Sequence, residues 1–352
     1  SQDLGDPNLS PEIKKEYEVG TDLRFFDNKI KLGYSYYYNK TEDVFFNLSL
    51  ANSSGYDEIF TNAGEIENKG MEIDLSYDII KNDDFSINFS LNWSYYRNKV
   101  LDLKGVESIR LGGLSAVSGR AVEGYPLGVF WGTKFVRNDD GSILLNDVGF
   151  PSLAPENGII GNPHPDWQGG FGTTISYKDL SLFFLLETYQ GADIYAGTKA
   201  VLLNYGRHKD SGIETTTQQD LFDYNGGLIT SGSTFRGSIY DFGAGPVALT
   251  EAWYRGIGGY FSGVQEQFVE DGSWSRLREL TLSYSLRSSN FRKATKLSSI
   301  DFSFTGRNLF ILTDFVGNDP DTNLTEVSTT RGIDYFNNPG TKSYVFKITI
   351  NY

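Results

Sequence analysis

The chain offers little for covalent chemistry and more for binding. It has two histidines, His164 and His208, and no cysteine, so disulfides and Cys-ligated metals are excluded. His164 sits inside Pro163-His164-Pro165-Asp166, where a structural role in a turn is expected. No Gly-x-Ser-x-Gly elbow, His-Glu-x-x-His pair or phosphate-binding glycine loop is present, so no enzyme is expected. Asp319, Asp321 and Asn323 alternate like Ca²⁺ ligands, but Leu324 stands where an EF-hand loop needs glycine. A solvated Asx-rich loop is the better reading, with no metal or other cofactor. The residues suited to binding are rings in Gly-rich stretches: Trp131, Trp253, Tyr254, Tyr260 and Phe261. Such rings stack on flat ligand faces while nearby Asn and Asp supply hydrogen bonds. The alternative is that they pack loops together.

The elements that must position these rings are strands. Aromatic residues make up 15% of the 352 residues, with 39 Gly, which points to an all-β protein. No apolar run approaches the roughly 18 residues of a spanning helix. Alternation is clear at both ends. Tyr344, Phe346, Ile348, Ile350 and Tyr352 share one face, and Val345, Lys347, Thr349 and Asn351 the other. Near the start, Tyr17, Val19, Leu23 and Phe25 oppose Glu18, Asp22 and Arg24; after a turn at Asp27-Asn28 comes the row Ile30, Leu32, Tyr34, Tyr36, Tyr38. Further hairpins are expected at 71–95, 167–189 and 273–310, giving about nine strands with the last segment.

Connections are short at one end, as at Asp27-Asn28, 81–84, 178–179 and 287–296. They are long at the other: 39–67, 97–166, 190–272 and 311–342. A β-sandwich also alternates, but it would not need strict up-down order, one-sided loops, or rows ending in Tyr38, Tyr77, Tyr95, Tyr177, Tyr284 and Tyr352. The pattern is that of an antiparallel transmembrane β-barrel segment with long extracellular loops. A charge on the lipid face costs roughly 2–4 kcal/mol near the midplane, so the aromatic rows should face lipid and the charged rows the lumen. Arg276 and Arg278 resist this, because they share parity with Leu280, Leu282 and Tyr284. Either both lie above the lipid, or a β-bulge separates them from Leu280.

An odd number of strands cannot close a bacterial single-chain barrel, so the rest of the barrel is expected as a partner. The opening Ser1-Gln2-Asp3-Leu4-Gly5-Asp6-Pro7 has no signal peptide. A mature or partial chain is the expectation. The net charge of −14 argues against nucleic acid.

Several motifs carry a resemblance. Asn8-Leu9-Ser10-Pro11-Glu12 before Tyr17-Glu18-Val19-Gly20, and Asn68-Lys69-Gly70-Met71-Glu72, are similar to strand beginnings of TonB-dependent receptors. Gly124-Tyr125-Pro126-Leu127-Gly128, Gly161-Asn162-Pro163-His164-Pro165-Asp166-Trp167 and the run from Glu270 to Leu282 resemble the SusC/RagA-like branch. So do Thr305-Gly306-Arg307-Asn308-Leu309-Phe310 and Asp319-Pro320-Asp321.

The resemblance spans residues 1–352 and implies the C-terminal part of a barrel of about 22 strands. The plug and N-terminal strands of such a barrel are expected to lie outside this chain. It further implies a bacterial outer-membrane location, contact with TonB through the missing N-terminal region, and a SusD-like surface lipoprotein. Energy-coupled import of an oligosaccharide or peptide is the function implied. A passive porin, or a binding or adhesion barrel without active transport, is the alternative.

Overall fold

The computed structural model describes residues 3–325 and 328–352. Nine strands form one antiparallel sheet in chain order: β1 (Ile13–Phe25), β2 (Ile30–Ser49), β3 (Glu58–Lys81), β4 (Phe85–Asp102), β5 (Trp167–Tyr177), β6 (Leu180–Gln190), β7 (Trp274–Leu286), β8 (Ser299–Thr313) and β9 (Ser343–Asn351). Each strand pairs only with its sequence neighbours along this path, apart from a short strand Asp3–Gly5 that adds in parallel to β3. This is the expected up-down order.

The two faces differ as the alternation requires. Leu280, Leu282, Tyr284, Phe304, Phe346, Ile348 and Ile350 are all exposed on one face. The opposite face is polar, with ladders such as Ser176–Ser181 and Thr281–Thr305 hydroxyl pairs. The sheet has no apolar core of its own. Its buried hydrophobic clusters lie in the long connections and at the outer strand ends. A continuous exposed apolar face of this extent needs a non-aqueous environment or a partner.

Strand extent corrects one sequence expectation. The connection expected at 39–67 shrinks to 50–57, because β2 and β3 continue as a projecting hairpin from Asn39 to Ser49 and Glu58 to Glu67. β4 likewise runs on to Asp102. Beyond the apolar band both faces of a strand meet polar surroundings or packed loops, so alternation disappears although pairing persists. The long connections also carry structure of their own. One holds a four-stranded sheet of Ser108–Gly113, Ser118–Val122, Val129–Gly132 and Gly158–Gly161. The next holds helix α1 (Gly197–Asn204), helix α2 (Glu251–Arg255) and several short hairpins.

A polar ladder and a close-packed glycine mark where the connections start. Asn39, Asn68 and Asn98 lie opposite one another on β2, β3 and β4. Asn98 donates to Asn68 at 2.6 Å, Asn68 donates to Asn39 at 3.0 Å, and the Leu127 N–H donates to Asn98 at 2.7 Å. The ladder thereby anchors the Gly124–Gly128 turn. Beside it, Gly70 lies against the Tyr37 ring, and a β-carbon there would sit 2.5 Å from its hydroxyl. Only glycine leaves room for that ring.

The parity conflict on β7 is resolved by a β-bulge. Pairing with both β6 and β8 skips Arg278, so Leu277 opposes Leu186 and Phe310 while Glu279 opposes Leu185 and Arg307. On β8, Asn308 takes the left-handed conformation at φ 52° beside the extra residue. One added residue reverses the side-chain sequence. Arg276 and Arg278 therefore turn to the polar face, and Leu277 stays with Leu280 and Leu282.

Candidate binding surfaces of the loops and inner wall

The five rings singled out in the sequence occupy three different environments. Trp253, Tyr254 and Tyr260 are buried, Trp253 at 2% exposure. Trp253 lies between Phe150, Tyr224 and Phe242, with centroids 5.5, 5.7 and 5.2 Å away. Gly258 runs flat against it, and a β-carbon there would come within 2.2 Å of the indole. The Tyr254 hydroxyl meets that of Ser238 at 2.8 Å and donates to the Asp210 carbonyl at 3.3 Å. These contacts join α1, α2 and the strand Pro246–Leu249 into one loop core.

Tyr260 bridges this core to an exposed ridge. Tyr205 and Phe261, at 64% and 63% exposure, meet edge to face at 5.9 Å. Phe261 meets Tyr260 at 5.0 Å, Tyr260 meets Tyr335 at 5.6 Å, and Tyr335 meets Phe336 at 5.1 Å. Tyr205, Phe261 and Phe336 thus present exposed rings beside the buried Tyr260 and the half-buried Tyr335. The segment is held from below by Gln265. Its amide donates to the Tyr260 carbonyl at 2.6 Å, and its side-chain oxygen accepts from the Tyr195 hydroxyl. Trp131 is half-buried on the four-stranded sheet, where the Arg120 guanidinium lies 5.1 Å from its ring. It makes no ring contact with the other four among the described residues.

The inner wall carries a second cluster. Tyr189 and Trp274 stack nearly parallel, 12° apart with centroids at 5.9 Å. Arg331 lies over Tyr189 at 5.8 Å, and Arg276 and Arg278 lie over Trp274 at 5.5 and 5.0 Å. Arg276 pairs with Asp319, and both side chains are nearly buried at 6% and 9%. Arg278 donates to Asp321 at 2.7 Å and also pairs with Glu187. The side-chain oxygen of Asn323 accepts from the Gly332 N–H. The Asp319, Asp321, Asn323 series therefore ties its loop to the wall and to itself. No group of three or more His, Asp or Glu is placed to hold a metal ion among the described residues.

Sequence reasoning flagged Arg276 and Arg278 as a parity conflict and as part of the run from Glu270 to Leu282, and did not single out Tyr189, Tyr205 or Phe336. A charged pair set against the apolar rhythm was the available signal for the first two. Nothing in local sequence marks Tyr189 as a stacking partner for a residue 85 positions away (Trp274).

Both histidines serve the scaffold. The His164 Nε2–H donates to the Leu127 carbonyl at 2.7 Å, and Nδ1 accepts from the Tyr96 hydroxyl at 2.9 Å. This fixes the neutral tautomer, and burial pushes the imidazole below its ordinary value of 6.5, reinforced by Arg331 nearby. His208 caps a short turn, accepting from the Asp210 N–H at 3.3 Å. Asp193 accepts from the Asn162 N–H at 2.6 Å, and burial raises its carboxyl.

Comparison with known proteins places this geometry. A family model described as TonB dependent receptor-like, beta-barrel, matches residues 1–189. TonB-dependent receptor P3 of Formosa agariphila is 26% identical over 99% of this chain and 35% of its own length. TonB-dependent receptor SusC of Bacteroides thetaiotaomicron is 24% identical over 89% of this chain and 30% of its own length. Among solved structures, the RagAB peptide transporter superposes with a TM-score of 0.70 at 19% identity, covering 99% of this chain and 36% of that one. RagAB in its 'open-open' state gives 0.67. The chain spans about a third of the length of these relatives.

Proposed function

Because the chain belongs to the TonB dependent receptor-like β-barrel family, we propose that it forms wall and outer loops of a transporter importing a nutrient, an oligosaccharide or a peptide, across the bacterial outer membrane. The carrying observation is the division of the sheet: an exposed apolar face on one side and a polar face on the other, the latter tied to a long loop through Arg276 and Arg278. Such a sheet, once its edges at β1 and β9 are paired by the rest of the barrel, satisfies its backbone internally and offers lipid only side chains. The loop end then faces outward, where the exposed rings of Tyr205, Phe261 and Phe336 meet cargo or a SusD-like surface lipoprotein. Phe261 and Trp131 are the sequence-derived rings accessible to cargo; Trp253, Tyr254 and Tyr260 hold the platform beneath. Energy comes from TonB acting on another part of the receptor. The RagAB structures, described as a peptide transporter and importer, support the peptide reading, and the relative SusC supports the kinship.

The test is uptake by the receptor reconstituted in liposomes. TonB-dependent accumulation of labelled oligosaccharide or peptide is expected. Equal passage without TonB and an energy source would instead make it a passive pore, and binding without passage an adhesion barrel.

A further inference from the structure

The loop end holds a cavity of about 630 Å³ beside the ridge of exposed rings. Its floor is the loop core, Leu203 and Tyr254, and its rim includes Arg207, Arg236 and Arg255 against one carboxylate, Glu251. Three guanidinium groups around one carboxylate stand out in a chain of net charge −14. Arg207 and Arg236 are exposed, and neither makes a side-chain hydrogen bond or ion pair among the described residues. Arg255 meets Glu251 at 3.2 Å, but both side chains are largely exposed, at 69% and 80%. Such a pair is weak and is easily exchanged for a better acceptor. Tyr205 completes the rim, and its ring continues into the ridge through Phe261.

We propose that this cavity binds the anionic group of an acidic cargo, a carboxylate or a sulfate ester, with Tyr205 and Phe261 stacking on the adjoining residue of the same ligand. The reading rests on the import role for the word cargo, while the binding itself stands on the geometry. A guanidinium offers a planar fork of donors matched to two oxygens of one anion, and it remains charged at any working pH. Two arginines without a side-chain partner among the described residues line a space here that is large enough for a sugar ring or a short peptide end. The net charge of −14 disfavours non-specific binding of the same anion over the rest of the surface.

Binding to the purified receptor in detergent tests this with three matched pairs of probes. These are tetragalacturonate and its methyl ester, a sulfated galactan oligosaccharide and its desulfated form, and tetraglutamate and tetraglutamine peptides. In at least one pair the acidic member is expected to bind roughly tenfold tighter, a preference that weakens as salt rises. The pair showing it identifies the source of the anion. Arg207→Ala with Arg236→Ala should abolish the preference, the corresponding double Lys variant should retain part of it, and Glu251→Gln should strengthen it. No acidic preference in any pair, or a preference surviving the double Ala variant, overturns the proposal. Liposome uptake is read separately. Acidic preference without TonB-driven uptake supports the cavity and removes the import reading, whereas uptake without preference does the reverse.

Discussion

Arg276 on β7 and Asp319 in the loop after β8 face each other as a nearly buried ion pair on the inner wall. The Arg276 Nε has no hydrogen-bond partner, so the pair depends on the Asp319 carboxylate. Removing one partner of such a pair leaves an uncompensated buried charge and costs about 3–5 kcal/mol. Asp319→Ala should therefore release the loop at 314–342, seen as faster limited proteolysis there. Arg276→Met with Asp319→Leu should recover most of the protection. Equal cleavage of wild type and Asp319→Ala would refute the anchoring role.

The lipid-facing assignment predicts a sharp contrast between adjacent residues. Phe304 is exposed beside Leu282 and Phe346, while Ser303 pairs with Ser283 and Lys347 on the polar face. Phe304→Arg should cost about 2–4 kcal/mol if it lies near the bilayer midplane, and Ser303→Arg much less. Urea titration of folding into lipid bilayers measures both. Similar costs at the two positions would contradict the orientation of the sheet.

Trp253 and Phe261 should separate stability from binding. Trp253→Ala empties a pocket walled by Phe150, Tyr224 and Phe242 and should cost about 3–5 kcal/mol in the loop core. Phe261→Ala removes an exposed ring and should leave thermal unfolding unchanged while weakening cargo binding several-fold. Unchanged affinity in Phe261→Ala would remove the ridge from the cargo path.

His164 supplies a pH dependence of known sign. Burial lowers its folded value below 6.5, so its contribution is fully present above the unfolded value and is lost as pH falls from there toward the folded one. His164→Gln should cost roughly 1 kcal/mol at pH 7.5, and the gap to wild type should narrow near pH 5. The buried carboxyls Asp193 and Asp334, raised by burial, act in the opposite sense, so the difference between the two proteins is the quantity to measure. A gap that widens on acidification would contradict the neutral tautomer.

Much of the architecture was legible because a strand repeats every second residue and a one-sided apolar environment stamps that period on the sequence. The hairpin 167–190 was readable nearly to the residue, since Tyr177 and Leu180 flank a two-residue turn. The projecting hairpin of β2 and β3 was not, because Asn39 to Ser49 has left the one-sided environment and packs instead, through Phe46, on the folded connection after β4.

What the sequence by itself determined is the sheet: nine alternating segments, their order, the face each presents, and which end carries the long connections. What only the tertiary structure decided is how the connections fold back. The bulge at Arg278 and the left-handed Asn308 that accompanies it depend on strands on both sides. The burial of Trp253, the exposure of Phe261 and the placing of Arg207 and Arg236 on one cavity depend on contacts between segments tens of residues apart. Periodicity records the environment of a strand along its own axis. It carries no record of which distant ring or charge will complete a loop.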